Sequence, residues 1–322
     1  MISKNSRLYE QHPDWLIHVP GRNLSPGRHQ YVLDFTRDEV VEYIYLQLSR
    51  LLREASISYV KWDMNRYMTE IGSLALPAGR QQEVSHRYIL GVYKLYEKLR
   101  NDFPHVLFES CASGGARFDP GMLYYAPQTW TSDDTDAVER LKIQYGTTMV
   151  YPLSTIGAHV SAVPNHQVGR ITDLNMRAAV AYFGVFGYEL DLTKATEEEK
   201  EIMRTQIAFY KKYRKLILEG TFYRLISPFE GEKNEAAWMV VSRDKKEALV
   251  GYYQILAKPN EGLKRLVLKG LIPDEEYMID GVEQSFYGDE LMNFGVILNR
   301  LKKGKRTSGD FSAFIFPLKS KV

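Results

Sequence analysis

The sequence predicts an α/β chain of parallel strands and helices, followed by a domain built on antiparallel sheet. Up to about residue 220, short β-favouring runs alternate with stretches of helical apolar period, the pattern of βαβ crossovers and a parallel sheet. Beyond Gly220 the helical periods stop, and short apolar or alternating runs separated by turn residues predict antiparallel strands. The boundary falls near residue 221, giving domains of 1–220 and 221–322. A count limits the first domain. Five or six parallel strands are found, whereas a closed (β/α) barrel needs about eight. The chain also opens on loop-like residues directly before a buried strand. Either the sheet is open, or this is the back half of a barrel whose front half is absent.

Residues 1–29 read as irregular, punctuated by Pro13, Pro20 and Pro26. The run 30–35 reads as a short buried strand. Residues 37–54 carry Val41, Ile44, Leu48, Leu51 and Ala55 at helical spacing. The next strand runs from Ile57 to Asp63. After a loop with Gly72, Pro77 and Gly79, a helix spans 81–101 with the stripe Val84, Tyr88, Val92, Leu95 and Leu99. Strands at 106–111 and 128–132 follow, then a helix over 137–146. The segments 149–153 and 156–160 offer one or two more strands, and 168–183 reads as helical. The clearest helix is 196–219. Thr196 and Glu199 form a capping-box pair, acidic residues fill the first turn, and Gly220 supplies the stop. The strands expected after it are 236–241, 248–253, 265–268, 277–279, 295–298 and 313–316, with 302–306 a solvated basic turn.

Composition excludes several classes. Of the 322 residues, 44% are hydrophobic and 25% charged, ordinary values for a globular chain with ample core. A net charge of +2 gives no case for nucleic acid or an anionic membrane. No apolar run approaches the roughly 18 residues of a membrane span, and the first residues carry no apolar signal-peptide region. The single cysteine, Cys111, excludes an internal disulfide and suits a reducing compartment. The histidines fall into no metal-binding spacing. Aromatic content of 12% is compatible with sugar stacking, although core packing is the commoner use.

The chemistry centres on Tyr59-Val60-Lys61-Trp62-Asp63-Met64-Asn65-Arg66. Side chains alternate along a strand, so Tyr59, Lys61 and Asp63 share one face. A cation and a carboxylate on a buried strand are costly unless paired or used, and a structural ion pair is the alternative to a catalytic role. Asp63 stands at a strand's C-terminal end, where parallel α/β proteins keep their chemistry. The second candidate is Asp133. Glycosidases need one ionised carboxylate at the anomeric carbon and one carboxylic acid to protonate the leaving oxygen. Lys61 would hold Asp63 ionised, while Asp134 and Asp136 would raise the pKa of Asp133. Helix capping is the structural alternative for this acidic run, and Asp136 is expected to serve it. The turn after Cys111, with Gly114 and Gly115, permits close backbone approach to a ligand and has no phosphate-loop spacing. Cys111 reads first as a small buried hydrophobe, His159 as a satisfied core histidine, and Arg28 equally as a substrate donor or a surface charge.

The blocks Lys61-Trp62-Asp63-Met64-Asn65-Arg66, Cys111-Ala112-Ser113-Gly114-Gly115-Ala116-Arg117-Phe118-Asp119 and Trp130-Thr131-Ser132-Asp133-Asp134-Thr135-Asp136 resemble the catalytic blocks of α-galactosidases of glycoside hydrolase family 36. They occur in the family's order, and 157–161 and 187–191 are also similar. The resemblance implies a retaining hydrolase that releases terminal α-linked galactose from melibiose- and raffinose-type sugars. Asp63 matches the nucleophile and Asp133 the general acid/base. Arg28, Lys61, Asn65 and Cys111 match positions that contact the galactose, with Gly114 close by. No metal or organic cofactor is implied, and bacterial members with these motifs are commonly cytoplasmic oligomers. The family carries an N-terminal β-sandwich domain and the first barrel strands ahead of this region. The resemblance therefore implies the C-terminal portion of such an enzyme: an incomplete TIM-type (β/α) barrel over 1–220, then a β-sandwich over 221–322. The expected mechanism is double displacement, with the two carboxyl groups roughly 5–5.5 Å apart. Two competing expectations are a catalytically weak remnant that binds sugar or a complementary chain, and a metal-assisted enzyme using Asp133, Asp134 and His159.

Overall fold

The computed structural model describes residues 1–260, 262–301 and 309–321, and the expected basic turn at 302–306 lies outside them. The chain divides into two compact units, Met1–Trp130 and Thr131–Val322.

In the first unit three parallel strands, β1 (Tyr59–Asp63), β2 (Leu107–Cys111) and β3 (Gln128–Trp130), pair in that order. The register sets Lys61 beside Glu109 and Asp63 beside Cys111. One sheet face presents Val60, Trp62 and Phe108 and packs on helix α2 (Val84–Asp102), whose stripe Val84, Tyr88, Val92, Leu95 and Leu99 is buried as its spacing predicts. Trp62 lies 4.7 Å from Tyr96 between ring centroids, and Phe108 meets the same ring edge-on. Helix α1 (Asp38–Glu54) departs from its expected stripe. Val40, Val41 and Leu52 are buried, whereas Leu51 and Ala55 are exposed. Eleven residues make about three turns, so Leu52 and not Leu51 stands over Val41. The expected strand at 30–35 is also corrected. Gln30–Tyr31 pairs antiparallel with Ile2–Ser3, and the chain then turns in on Asp34, whose buried carboxylate accepts from Thr36 and Ser73.

In the second unit two parallel strands, β4 (Ile156–Ser161) and β5 (Val185–Glu189), stand beside helices α3 (Ala137–Thr147), α4 (Leu174–Ala181) and α5 (Glu197–Glu219). Residues 149–153 are no strand. Met149 and Val150 are exposed, and Pro152, which has no ladder donor, leads into a 3₁₀ turn. β5 is the strand that sequence reading does not count, because Gly187 interrupts its apolar run. Helix α4 starts later than expected, where Asp173 accepts from the amide of Met176. The described parallel strands therefore number five, three in one unit and two in the other.

A six-stranded antiparallel sheet follows, with β6 (Thr221–Ile226), β7 (Glu235–Val241), β8 (Glu247–Gln254), β9 (Glu276–Ile279), β10 (Ser285–Tyr287) and β11 (Ser312–Ser320) in the order β10-β9-β11-β8-β7-β6. Arg265–Leu266 and Val296–Ile297 form a separate two-stranded ladder. Both faces of β7 are buried. Trp238 and Val240 share a core with Tyr213, Leu216 and Ile217 of α5, while Met239 and Val241 share another with Leu266, Tyr277 and Phe316. Helix α5 opens with the predicted capping box of Thr196 and Glu199. Gly220 ends it for a reason other than a left-handed turn. Its backbone is extended, and a Cβ there would lie 2.5 Å from Val240 Cγ1 and 2.6 Å from the Leu216 carbonyl.

Candidate active site

Strand alternation gives the second face of the first unit's sheet its chemistry. Tyr59, Lys61 and Asp63 of β1 stand beside Glu109 and Cys111 of β2 and Gln128 and Trp130 of β3. The expectation of a buried cation and carboxylate is corrected here, because Lys61 and Asp63 are both exposed. At the base of this face Glu109 is buried and accepts from the Tyr59 hydroxyl and, at 3.0 Å, from Gln128 Nε2. Lys61 forms no ion pair with Asp63 among the described residues. Its ammonium sits 5.4 Å from the centroid of the Trp130 ring, a cation–π distance. Glu109 and Trp130 were not among the sequence candidates. Their signal is the register, which becomes readable only once the strands are paired.

Around Asp63 the exit of β1 and the turn after β2 are laced together. Asn65 Nδ2 donates to Asp63 Oδ2 at 2.5 Å, and Asn65 Oδ1 accepts the Ser113 amide at 3.3 Å. Ser113 (φ 51°) and Gly114 (φ 79°) are both left-handed, which folds the turn back so that the Ala112 amide donates to the Gly114 carbonyl at 2.9 Å. The Cys111 carbonyl accepts from Arg117 Nη2 at 2.6 Å and from the Met64 amide at 3.0 Å. Arg28, also left-handed at φ 51°, directs Nη1 to the Asn65 carbonyl at 3.4 Å. The first unit thus gathers Arg28, Lys61, Asp63, Asn65, Cys111 and Gly114 at the C-terminal ends of β1 and β2. Burial pushes the Cys111 thiol up to about 11, with the neighbouring Asp63 carboxylate adding to the rise. Cys111 is accordingly a protonated thiol at neutral pH, unsuited to act as a nucleophile.

In the second unit the acidic run divides its labour. Asp136 caps α3, accepting from the amides of Val138 and Glu139, and pairs with Arg170. Asp134 shapes the turn by accepting the Asp136 amide at 3.0 Å. Asp133 is exposed and carries no hydrogen bond or ion pair among the described residues. The segment behind it is pinned by the buried Arg140, which donates to the Ser132 carbonyl, Thr131 Oγ1 and the Gly157 carbonyl. Burial lowers the Arg140 pKa to about 10, so the guanidinium stays charged near neutrality. His159 is mostly buried and joined to a carboxylate, with Nδ1 2.6 Å from Glu189 Oε2. Among the described residues no group of three His, Cys, Asp or Glu side chains is placed to hold a metal ion, so Asp133, Asp134 and His159 are not brought together as ligands. No described helix is long and apolar enough to cross a membrane.

The melibiase family model matches residues 1–220, and the glycosyl hydrolase family 36 C-terminal domain matches residues 235–318. The chain belongs to glycoside hydrolase family 36. It is 58% identical over 320 residues to the α-galactosidase AgaA of Geobacillus stearothermophilus, covering 99% of this chain and 43% of that protein. A raffinose-bound crystal structure of an AgaA variant, in which one aspartate is changed to asparagine, matches with a TM-score of 0.94 at 57% identity. A stachyose-bound variant, in which a different aspartate is changed to alanine, matches with the same score at 58% identity. Each covers 99% of this chain and 43% of the solved one. The chain therefore spans less than half the length of these family 36 relatives. Its parallel strands are part of the family's (β/α) barrel, incomplete in this chain, and its terminal antiparallel sheet is the family's C-terminal domain.

Proposed function

We propose that this chain carries the catalytic carboxylates of a retaining α-galactosidase acting on raffinose-type galactosides. One observation carries the reading. The aspartates changed in the raffinose-bound and stachyose-bound AgaA variants lie seventy positions apart, the separation of Asp63 and Asp133 here. Asp63 is the nucleophile. Its carboxylate, held by Asn65, attacks the anomeric carbon while Asp133 gives its proton to the departing glycosidic oxygen. Asp133 then takes a proton from water, whose oxygen displaces Asp63 and releases galactose with its original configuration. Lys61, Arg28, Asn65, Cys111 and Gly114 line the galactose position. Lys61 lends positive potential as the nucleophile approaches, and the neutral Cys111 thiol offers a weak donor.

The same reading takes 1–220 as the catalytic region and 221–322 as a β-sandwich domain, in line with the spans of the two family models. It takes the protein as a homo-oligomer and as cytoplasmic, the latter in keeping with its lone buried cysteine. No organic cofactor or metal has a step in it. Proton NMR of the first sugar released from an aryl α-galactoside tests the chemistry. α-Galactose is expected, and β-galactose as the first product overturns the retaining mechanism. A galactoside-bound crystal structure should set the Asp63 and Asp133 carboxyl groups roughly 5–5.5 Å apart.

A further inference from the structure

Asn65 is held in a way that a sugar-contacting side chain alone does not require. We infer that Asn65 is a positioning residue, clamped by the left-handed turn at Ser113-Gly114 so that its amide fixes the Asp63 carboxylate for attack. The inference rests on Asp63 being the nucleophile and adds a role for its neighbour.

A carboxamide has two distinguishable ends, and here each faces a group that accepts only one of them. The Ser113 amide is a donor and needs Oδ1; the Asp63 carboxylate is an acceptor and needs Nδ2. Turning the amide over would set donor against donor and acceptor against acceptor, so one orientation is selected. The main chain of Asn65 is held as well, because its carbonyl accepts from Arg28 and the preceding Met64 amide is bonded to Cys111. Ser113 adopts a left-handed conformation that residues other than glycine rarely take, and its N–H donates to Asn65 Oδ1. The result is a relay from the backbone of one strand exit, through a neutral side chain, to the carboxylate of the next. A carboxylate free about χ1 and χ2 would present its attacking oxygen only part of the time, and misplacement by about 1 Å can cost a hundredfold in rate.

The charged and titratable groups near Asp63 include Lys61 on its own strand, Cys111 on β2, and Arg117 and the Met1 amino group, which line the same cavity, while Arg28 reaches the neighbouring Asn65 carbonyl. Losing the Asn65 donor removes a hydrogen bond that the charged carboxylate accepts, which disfavours the ionised form of the nucleophile. The test compares wild type, Asn65→Ala, Asn65→Asp and Asp63→Gly in the protein acting on an aryl α-galactoside. Asn65→Ala should lower kcat/KM about tenfold to a hundredfold. It should also move the acid limb of the kcat/KM profile to higher pH. Asn65→Asp keeps the acceptor for Ser113 but sets a second carboxylate beside Asp63, and should move that limb further in the same direction. A side chain that only contacts galactose would weaken binding and leave the free-enzyme limb where it was, which overturns the inference. So does a crystal structure of Asn65→Ala with the Asp63 carboxylate unmoved, a readout that needs no turnover. If Asp63→Gly retains activity, the nucleophile assignment itself falls; if it is inactive while the Asn65 variants keep the wild-type limb, only the positioning role falls.

Discussion

The two aspartates that carry the proposed chemistry live under opposite regimes. Asp63 is tied to Asn65, through it to the Ser113 amide, and stands beside the Cys111 thiol. Asp133 bonds to nothing among the described residues, although its main chain is pinned through Arg140. The contrast suits the tasks. A nucleophile works through geometry and gains from fixed partners, whereas an acid/base group changes protonation twice per turnover. A permanent donor or cation would hold such a group in one state. Neighbours with the same chemistry, Asp134 and Asp136, are used up in shaping the turn and capping α3.

The largest effect expected from breaking this contrast is at the tied end. Asp63→Ala should lower turnover of a chromogenic α-galactoside by about 10⁴-fold or more, and substantial residual rate would remove Asp63 from the reaction. Next comes the free end. Asp133→Asn should cost about 10²- to 10⁴-fold on raffinose, and much less on an aryl galactoside whose leaving group needs no proton. Equal losses on both substrates would argue against an acid/base role. Asp136→Ala separates neighbourhood from chemistry. It removes a helix cap and leaves Arg170 unpaired, so stability to urea should fall by about 1–3 kcal/mol. Loss of activity at unchanged stability would shift the acid/base assignment from Asp133 to Asp136. The smallest effect concerns Cys111. Because its thiol is raised to about 11, alkylation by iodoacetamide should be negligible near pH 7 and climb as pH approaches 11. Rapid labelling at neutral pH would mean that the thiol is not buried against Asp63.

Much of this was legible in the sequence because it depends on period. The stripe of α2, the capping box of α5 and the alternation of β1 each follow from spacing alone, and they put Lys61 and Asp63 on one face correctly. Spacing says nothing of what lies opposite. The sequence suggests that Lys61 serves Asp63, the nearest carboxylate along the chain. In the fold its ammonium faces Trp130, a residue sixty-nine positions away. Asn65 lies close enough to Asp63 to be noticed, but its clamp depends on the left-handed Ser113 of another segment. The strand at 149–153 failed for a local reason, a proline at its end, and β5 was hidden by a glycine in its middle.

The double burial of β7 has a practical consequence. Because its alternate residues belong to two cores, the terminal sheet and helix α5 share one interior inside the second unit. The point near residue 221 where helix gives way to strand is therefore a change of architecture, not a seam at which the chain can be cut. A protein ended there would bare the apolar flank of α5 at Tyr213, Leu216 and Ile217, and should be recovered as aggregate. Anyone seeking a minimal catalytic fragment should leave the terminal sheet in place.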